Sequence, residues 1–297
     1  MILVTGVTGN LGKATAEFLL KKVPASTVAV LARNPEKAAS FKAAGADVRQ
    51  GDYNDIESLK AAFKGVDKVF LVSSNDIPNR VQQHTNAIEA AKAAGVKQVI
   101  YTSFQREDET DASPIAFIAS AHLATEKILK ESGLAYTILK NGLYTEGLDL
   151  FISDYSVQSG VVSVPAGDSK AAFISISNLG EASANILTAE GTENKVYEFG
   201  NSKAYSFAEI AEFLSEVVGK PIAYVSPDPE VHKAALVAAG VPDMYVGMIS
   251  SFAKAVKVGE FNTGKSDIAA VLGREPDSPK VHLNKKFGLK EATAMVE

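Results

Sequence analysis

The chain has 297 residues, no cysteine, a formal net charge of −5 and a pI near 5.5. That composition excludes disulfides, thiol catalysis and thiolate metal sites, and it offers no basic surface for nucleic acid. No apolar run approaches the ~20 residues of a membrane span, and the opening apolar run lacks the basic flank of a signal peptide, so the expected setting is the cytoplasm. The four histidines, His84, His122, His232 and His282, stand singly, and no metal site is expected.

The first element sets the class. The apolar run Ile2-Leu3-Val4 ends in Thr5-Gly6-Val7-Thr8-Gly9-Asn10-Leu11-Gly12, with three glycines spaced three apart. A helical pattern follows, with Ala14, Phe18, Leu19 and Leu20 on one side and Lys13, Glu17 and Lys21 on the other. Strand, glycine turn and helix in that order form the phosphate-cradling half of a dinucleotide site. Gly6 allows the sharp turn, Gly9 a close approach of backbone N–H groups to pyrophosphate, and Gly12 the seating of the helix on the sheet.

Strands and helices then alternate. Residues 27–32 read as a buried strand, Asn34-Pro35 starts a helix, and 47–52 is a third strand. Asp55 caps a helix to about Lys64, 68–72 is the fourth strand, and a helix over 78–94 closes at Gly95. The fifth strand is 98–102, a helix covers 114–132, and 136–139 is the sixth strand. This rhythm predicts an α/β fold with a doubly wound parallel sheet of the Rossmann type.

Beyond Gly142 the pattern changes. Two short strands, 161–164 and 173–176, are expected around a turn at 165–168. Asn178 with Glu181 forms a capping box for a helix to about Ala189, 196–199 is a strand, and Ser206 with Glu209 caps a helix to Val218. The rest is mostly helical, broken at Gly240-Val241-Pro242. The expected division is a dinucleotide-binding domain at 1–145 and a smaller α+β substrate lobe at 146–297, with the segment near 173–200 packing back on the main sheet.

Arg33 ends the second strand, 21 residues after Gly12, where a carboxylate would favour NAD by bonding the ribose 2′-hydroxyl. A guanidinium there suits the 2′-phosphate of NADP, and a solvated partner of Glu36 is the plain alternative. Asp52 stands where it can accept from the adenine amino group or close the Tyr53–Asn54 turn. Ser73, Ser74, Thr102 and Ser103 end the fourth and fifth strands and can line the nicotinamide half.

The Thr-Gly-x-x-Gly-x-x-Gly opening, Arg33-Asn34-Pro35 and Gly51-Asp52-Tyr53 resemble the atypical short-chain dehydrogenases/reductases that include the NmrA-like proteins. Stretches 22–26, 90–97, 122–127, 136–144 and 193–197 are similar in particular to the bacterial quinone reductase and triphenylmethane reductase branch. The resemblance implies an NADPH-dependent reductase of quinones or similar conjugated acceptors, with the glycine loop, Arg33, Ser73, Ser74 and Lys140, Asn141, Gly142, Leu143 and Tyr144 at the cofactor. A non-catalytic NADP-sensing regulator of the same group is the alternative, and a homodimer is compatible with either. Standard members of the wider superfamily carry Tyr-x-x-x-Lys as proton donor and its activator. Here that stretch is His122-Leu123-Ala124-Thr125-Glu126, and Lys127 lies one position late, about 100° round the helix. Such a site fits acceptors that take hydride into a conjugated system, with water supplying the proton. His122, Lys140, Asn141 and Tyr144 are the candidate catalytic or positioning residues. Phe104, Tyr144, Phe151 and the Met244/Met248/Phe252 stripe are candidates for an apolar acceptor wall, or for core or a subunit contact.

Overall fold

Val28, Ala29, Val30, Leu31 and Ala32 are all buried, as a parallel strand covered on both faces requires. In the computed structural model, which describes residues 1–288, this is β2 (Val28–Ala32), preceded by β1 (Ile2–Val4) and α1 (Asn10–Leu20). Next come α2 (Ala39–Ala43), β3 (Asp47–Gln50), α3 (Ile56–Ala62), β4 (Lys68–Leu71), α4 (Arg80–Ala93), β5 (Gln98–Phe104), α5 (Ala116–Glu131) and β6 (Ala135–Asn141). The remainder is α6 (Asp154–Ser159), β7 (Val161–Ser163), β8 (Lys170–Ala171), α7 (Ile176–Thr188), β9 (Lys195–Phe199), β10 (Tyr205–Ser206) and α8 (Phe207–Val218). It ends in β11 (Ala223–Val225), α9 (Pro229–Ala238), α10 (Asp243–Lys257), α11 (Ile268–Leu272) and α12 (Pro279–Phe287).

One seven-stranded sheet, in the order β3-β2-β1-β4-β5-β6-β9, is parallel throughout. The order reverses between β1 and β4, the switch point at which open α/β sheets bind ligands. On one face α1 packs against α7, where a Cβ on Gly180 would lie 2.7 Å from Ala14 Cβ. On the other, Leu59, Phe63, Ile88 and Leu129 from α3, α4 and α5 or their ends join one apolar cluster. A separate cluster, built on Phe173, Phe207, Ile210, Val256 and Phe261, forms the core of the carboxyl-terminal lobe. Among the described residues no helix is long and apolar enough to cross a membrane.

Several local expectations hold at the level of single hydrogen bonds. Asn34 accepts from Glu36 N, Asp55 accepts from the N–H groups of Glu57 and Ser58, and Ser206 with Glu209 forms the reciprocal capping box. The hairpin around 165–168 is not formed. Instead β7 pairs in parallel with β11 and β8 pairs antiparallel with β10, because each short strand finds its partner across the lobe core. Residues 173–176 make only an isolated bridge from Ile174 to Tyr144 before α7 begins. The cap of that helix is Ser175, whose hydroxyl accepts from Asn178 N at 3.1 Å. Asn178 itself is buried and accepts from Asp277 N at 2.7 Å, while Glu181 pairs with Arg274. β9 is the seventh strand of the main sheet, so the sheet layer extends well past residue 145.

Candidate cofactor and acceptor site

A cleft of about 520 Å³ opens over the carboxyl ends of the strands, lined from the glycine loop across to Tyr144 and Ile176. The three glycines of the loop serve three separate physical needs. Gly6 has φ +66°, in the left-handed region. A Cβ on Gly12 would lie 2.4 Å from Gly6 O and 2.5 Å from Thr5 O, so only glycine lets α1 sit against β1. Gly9 has φ −101° and ψ 174°, open to any residue, and its Cβ would meet only Gly6 O at 3.4 Å. Nothing within the protein requires glycine at position 9. The N-terminus of α1 carries no side-chain cap, leaving its first-turn N–H groups and the positive end of the helix for an anion. Loop, uncapped helix and the open space at Gly9 therefore fit a pyrophosphate group.

Thr5 fixes the loop from below. Its hydroxyl donates to Phe70 O at 2.9 Å and accepts from Val72 N at 2.9 Å, and Tyr53 Oη lies 2.6 Å away. Arg33 stands exposed on the lip of the cleft beyond β2. Asp52 also lines the cleft, and one of its oxygens closes the Asn54 turn by accepting from Asn54 N at 3.0 Å.

Thr8, Asn10, Leu11, Ser73, Ser74 and Tyr144 line the same cleft, while Thr102, Lys140, Asn141, Gly142, Leu143 and His122 are not among its wall residues. Thr102 supports the wall from behind, its hydroxyl accepting from Ser73 N at 2.9 Å. Lys140 is held between Glu109 and Glu198 at 3.6 and 3.7 Å, away from the phosphate loop. Asn141 is buried; its amide nitrogen lies 3.4 Å from Tyr144 Oη, which it can position, and its carbonyl oxygen has no partner among the described residues. Gly142 is a close approach of chains, its Cβ position 2.8 Å from Gly200 Cα, and Leu143 belongs to the lobe core. Phe151 packs edge-on against Phe207, Phe252 stacks on Phe261, and Met244 is 73% exposed.

Behind the cleft lies a buried polar network. Arg80 Nε donates to Ser74 O at 2.6 Å and Nη1 lies 3.3 Å from His122 Nε2. Arginine can only donate, so His122 Nε2 accepts, and Nδ1 carries the proton toward Tyr101 Oη at 2.7 Å. His84 is locked in the same way: Nε2 accepts from Ser74 N at 3.0 Å and Nδ1 donates to Thr125 Oγ1 at 2.9 Å. Neither imidazole directs a proton at the cleft. Glu126, in place of the superfamily lysine, accepts from Ser103 Oγ and pairs with Arg106 at 3.0 Å.

The NmrA-like family model matches residues 1–284. The chain belongs to the NmrA-like family. It is 39% identical to quinone oxidoreductase 2 of Escherichia coli K12, over 90% of this chain and 92% of that protein. The fold superposes on the crystal structure of an NADPH-dependent quinone oxidoreductase from E. coli complexed with NADPH. For that pair the TM-score is 0.89 and identity 35%, covering 97% of this chain and all of the other. Triphenylmethane reductase of Citrobacter sp., complexed with NADP(H), gives a TM-score of 0.87 at 35% identity, covering 96% and 99%.

Sequence reading missed Tyr53, Asn54, Gln83 and Ile176 as wall residues of this NmrA-like cleft, and it missed Arg80 behind it. Tyr53 carries a signal only through the Gly51-Asp52-Tyr53 stretch of the family resemblance, and its hydroxyl reaches Thr5 Oγ1 beyond β1; nothing local marks Arg80 and Gln83 as buried. The buried histidines leave a measurable trace. Burial, with the Arg80 charge adding to it, pushes His84 down to about 3, and burial drives His122 well below its ordinary value, with the Arg80 and Arg106 charges adding to the effect. The unfolded chain therefore binds protons below pH ~6.5 that the native state refuses, and stability falls as pH drops. Each histidine contributes a slope approaching ~1.4 kcal/mol per pH unit. Urea unfolding between pH 6.5 and 5 should show this loss, and a flat profile would mean that both rings titrate freely in the native protein.

Proposed function

We propose that this chain is a cytoplasmic NADPH-dependent oxidoreductase that passes hydride to quinones or similar conjugated acceptors. The observation that carries the reading is the cleft itself: an uncapped helix N-terminus over a glycine that the protein does not need for its own packing, with a guanidinium at the second strand. The likeness to quinone and triphenylmethane reductases supports the acceptor class. Gly6, Thr8, Gly9, Asn10, Leu11 and Gly12 would hold the pyrophosphate, Arg33 the 2′-phosphate, and Ser73, Ser74 and Tyr144 the nicotinamide half. The bound cofactor supplies hydride. The protein's own part is to orient cofactor and acceptor, with Asn141 fixing Tyr144. No side chain at position 122 or 126 is free to donate a proton, so the proton comes from solvent.

NADPH consumption by purified protein against quinones, cationic dyes and simple ketones tests this reading; turnover of quinones but not ketones is expected, and no acceptor-dependent oxidation anywhere in the panel would sink it. NADPH should bind ~10-fold or more tighter than NADH, at least ~1.4 kcal/mol, and Arg33→Ala should erase most of that preference with NADH affinity unchanged. Equal affinities in the unaltered protein would remove Arg33 from the 2′-phosphate site. His122→Ala should slow quinone turnover by less than ~10-fold, below the ~10²–10⁴ typical for loss of a general acid. A thousandfold loss, with fold and cofactor binding retained, would make His122 the acid.

A further inference from the structure

We propose that Arg80 is the oxyanion-binding residue of the acceptor site, resting on the function proposed above. Its guanidinium would hold the oxygen on which negative charge develops when a quinone takes hydride. Arg80 is only 6% exposed, yet among the described residues no carboxylate lies within ion-pair distance of it. Two of its nitrogens are committed, Nε to Ser74 O and Nη1 to His122 Nε2, and Nη2 has no hydrogen-bond partner among the described residues. The contrast with the neighbouring buried arginine is direct: Arg106 meets both Glu126 and Glu109. Burying an uncompensated cation is costly, and the cost is recovered when an anionic group arrives.

The placement says which anion. Arg80 is packed directly behind the cleft wall: Ser74, whose carbonyl holds Nε, lines the cleft, as does Gln83 one turn along α4, and Nη2 is the donor left for a ligand at that wall. The phosphate-binding N-terminus of α1 belongs to the glycine loop, so Arg80 is left for chemistry at the β4–β6 end. Hydride addition to a quinone, with the nicotinamide cofactor as two-electron reductant, moves a π electron pair onto a carbonyl oxygen; a proton from water then completes the hydroquinone. A guanidinium donor preorganised at that oxygen lowers the barrier without giving up a proton. The same charge gives no help to a cationic triphenylmethane dye, which hydride addition turns neutral with no oxyanion formed. Arg80 is thus a selectivity device for acceptors whose adduct is an oxyanion.

Turnover of menadione and of the malachite green cation would be compared in the unaltered protein, Arg80→Gln and Arg80→Lys, with NADPH affinity as the fold control. Arg80→Gln should lower kcat/KM for menadione by ~10²–10³ and for the dye by less than ~3-fold. Arg80→Lys, which keeps the charge without the fork, should fall between, and its ratio decides the matter if the Gln variant does not fold. Independently of turnover, binding of the 2-hydroxy-1,4-naphthoquinone anion to NADP⁺-saturated protein should weaken ~30-fold in Arg80→Gln. Equal losses with both acceptors, or unchanged anion affinity, would reduce Arg80 to a prop for Ser74 and His122. If none of the acceptors supports NADPH oxidation by the unaltered protein but the anion still binds through Arg80, the reductase reading fails and the oxyanion site stands.

Discussion

Gly9→Val should fold normally and lose NADPH affinity by ~100-fold or more, about 2.7 kcal/mol, whereas Gly12→Val should fail to fold stably. The two residues lie three apart in one loop, yet the structure gives them opposite tasks. At Gly9 the backbone is extended and the nearest atom to a new Cβ is 3.4 Å away, so a side chain would occupy only the space above the helix N-terminus. At Gly12 the new Cβ would lie 2.4–2.5 Å from the backbone of Gly6 and Thr5, atoms that cannot rotate aside. Overpacking of a core usually costs ~1–3 kcal/mol, and a clash with fixed backbone exceeds that range. Thermal unfolding followed by cofactor titration separates the cases. Normal NADPH binding by Gly9→Val would mean that the phosphates do not pass over this turn.

The glycine loop was legible because each of its constraints is local: turn, approach and packing all act within a dozen residues. The same holds for the caps at Asn34, Asp55 and Ser206, where side chain and backbone partner lie two or three residues apart. Legibility fails where a partner is distant. Phe173-Ile174-Ser175-Ile176 alternates like a strand, but Phe173 and Ile174 are buried by the lobe and sheet cores and Ser175 serves as the cap of α7. Strands of two or three residues have too little pattern to name their neighbours, so the pairing of β7 with β11 across some 60 residues carries no local signature. The end of β6 shows the same limit in the site. Lys140 follows the sheet alternation away from the phosphate loop toward Glu109 and Glu198, acids contributed by the loop after β5 and by β9. The polar start of α4 is deceptive for a related reason. Nothing in the local sequence marks Arg80, Gln83 and His84 for burial; they are buried because Ser74, Asn54, Asp76, Thr125 and His122 meet them from other elements.

Glu126→Lys should destabilise the protein by ~3–5 kcal/mol, the cost of breaking a buried ion pair by removing one partner. The exchange would install the lysine that the wider superfamily carries at this position. The surroundings of position 126 forbid it. Arg106 is fully buried at its side chain and Glu126 is 7% exposed, so the carboxylate is the inner counter-charge of that arginine. Glu109, the other acid on Arg106, is half exposed and also faces Lys140, and it cannot neutralise three cations. Ser103, which donates to Glu126, would lose its acceptor as well. Glu126→Gln keeps the shape and an acceptor oxygen, so its loss should be clearly smaller, and the difference between the two variants isolates charge from packing. Adding His122→Tyr to Glu126→Lys should not create a ketone reductase, because the pair would rest on a collapsed Arg106 site. Urea denaturation of the three variants measures the stabilities, and a wild-type midpoint for Glu126→Lys would mean that the Arg106 charge is neutralised elsewhere. The ordering follows from desolvation: an acid at 126 is what allows Arg106 to be buried beside Ser103 and Phe104, and that commitment leaves no room for a tyrosine–lysine pair in this chain.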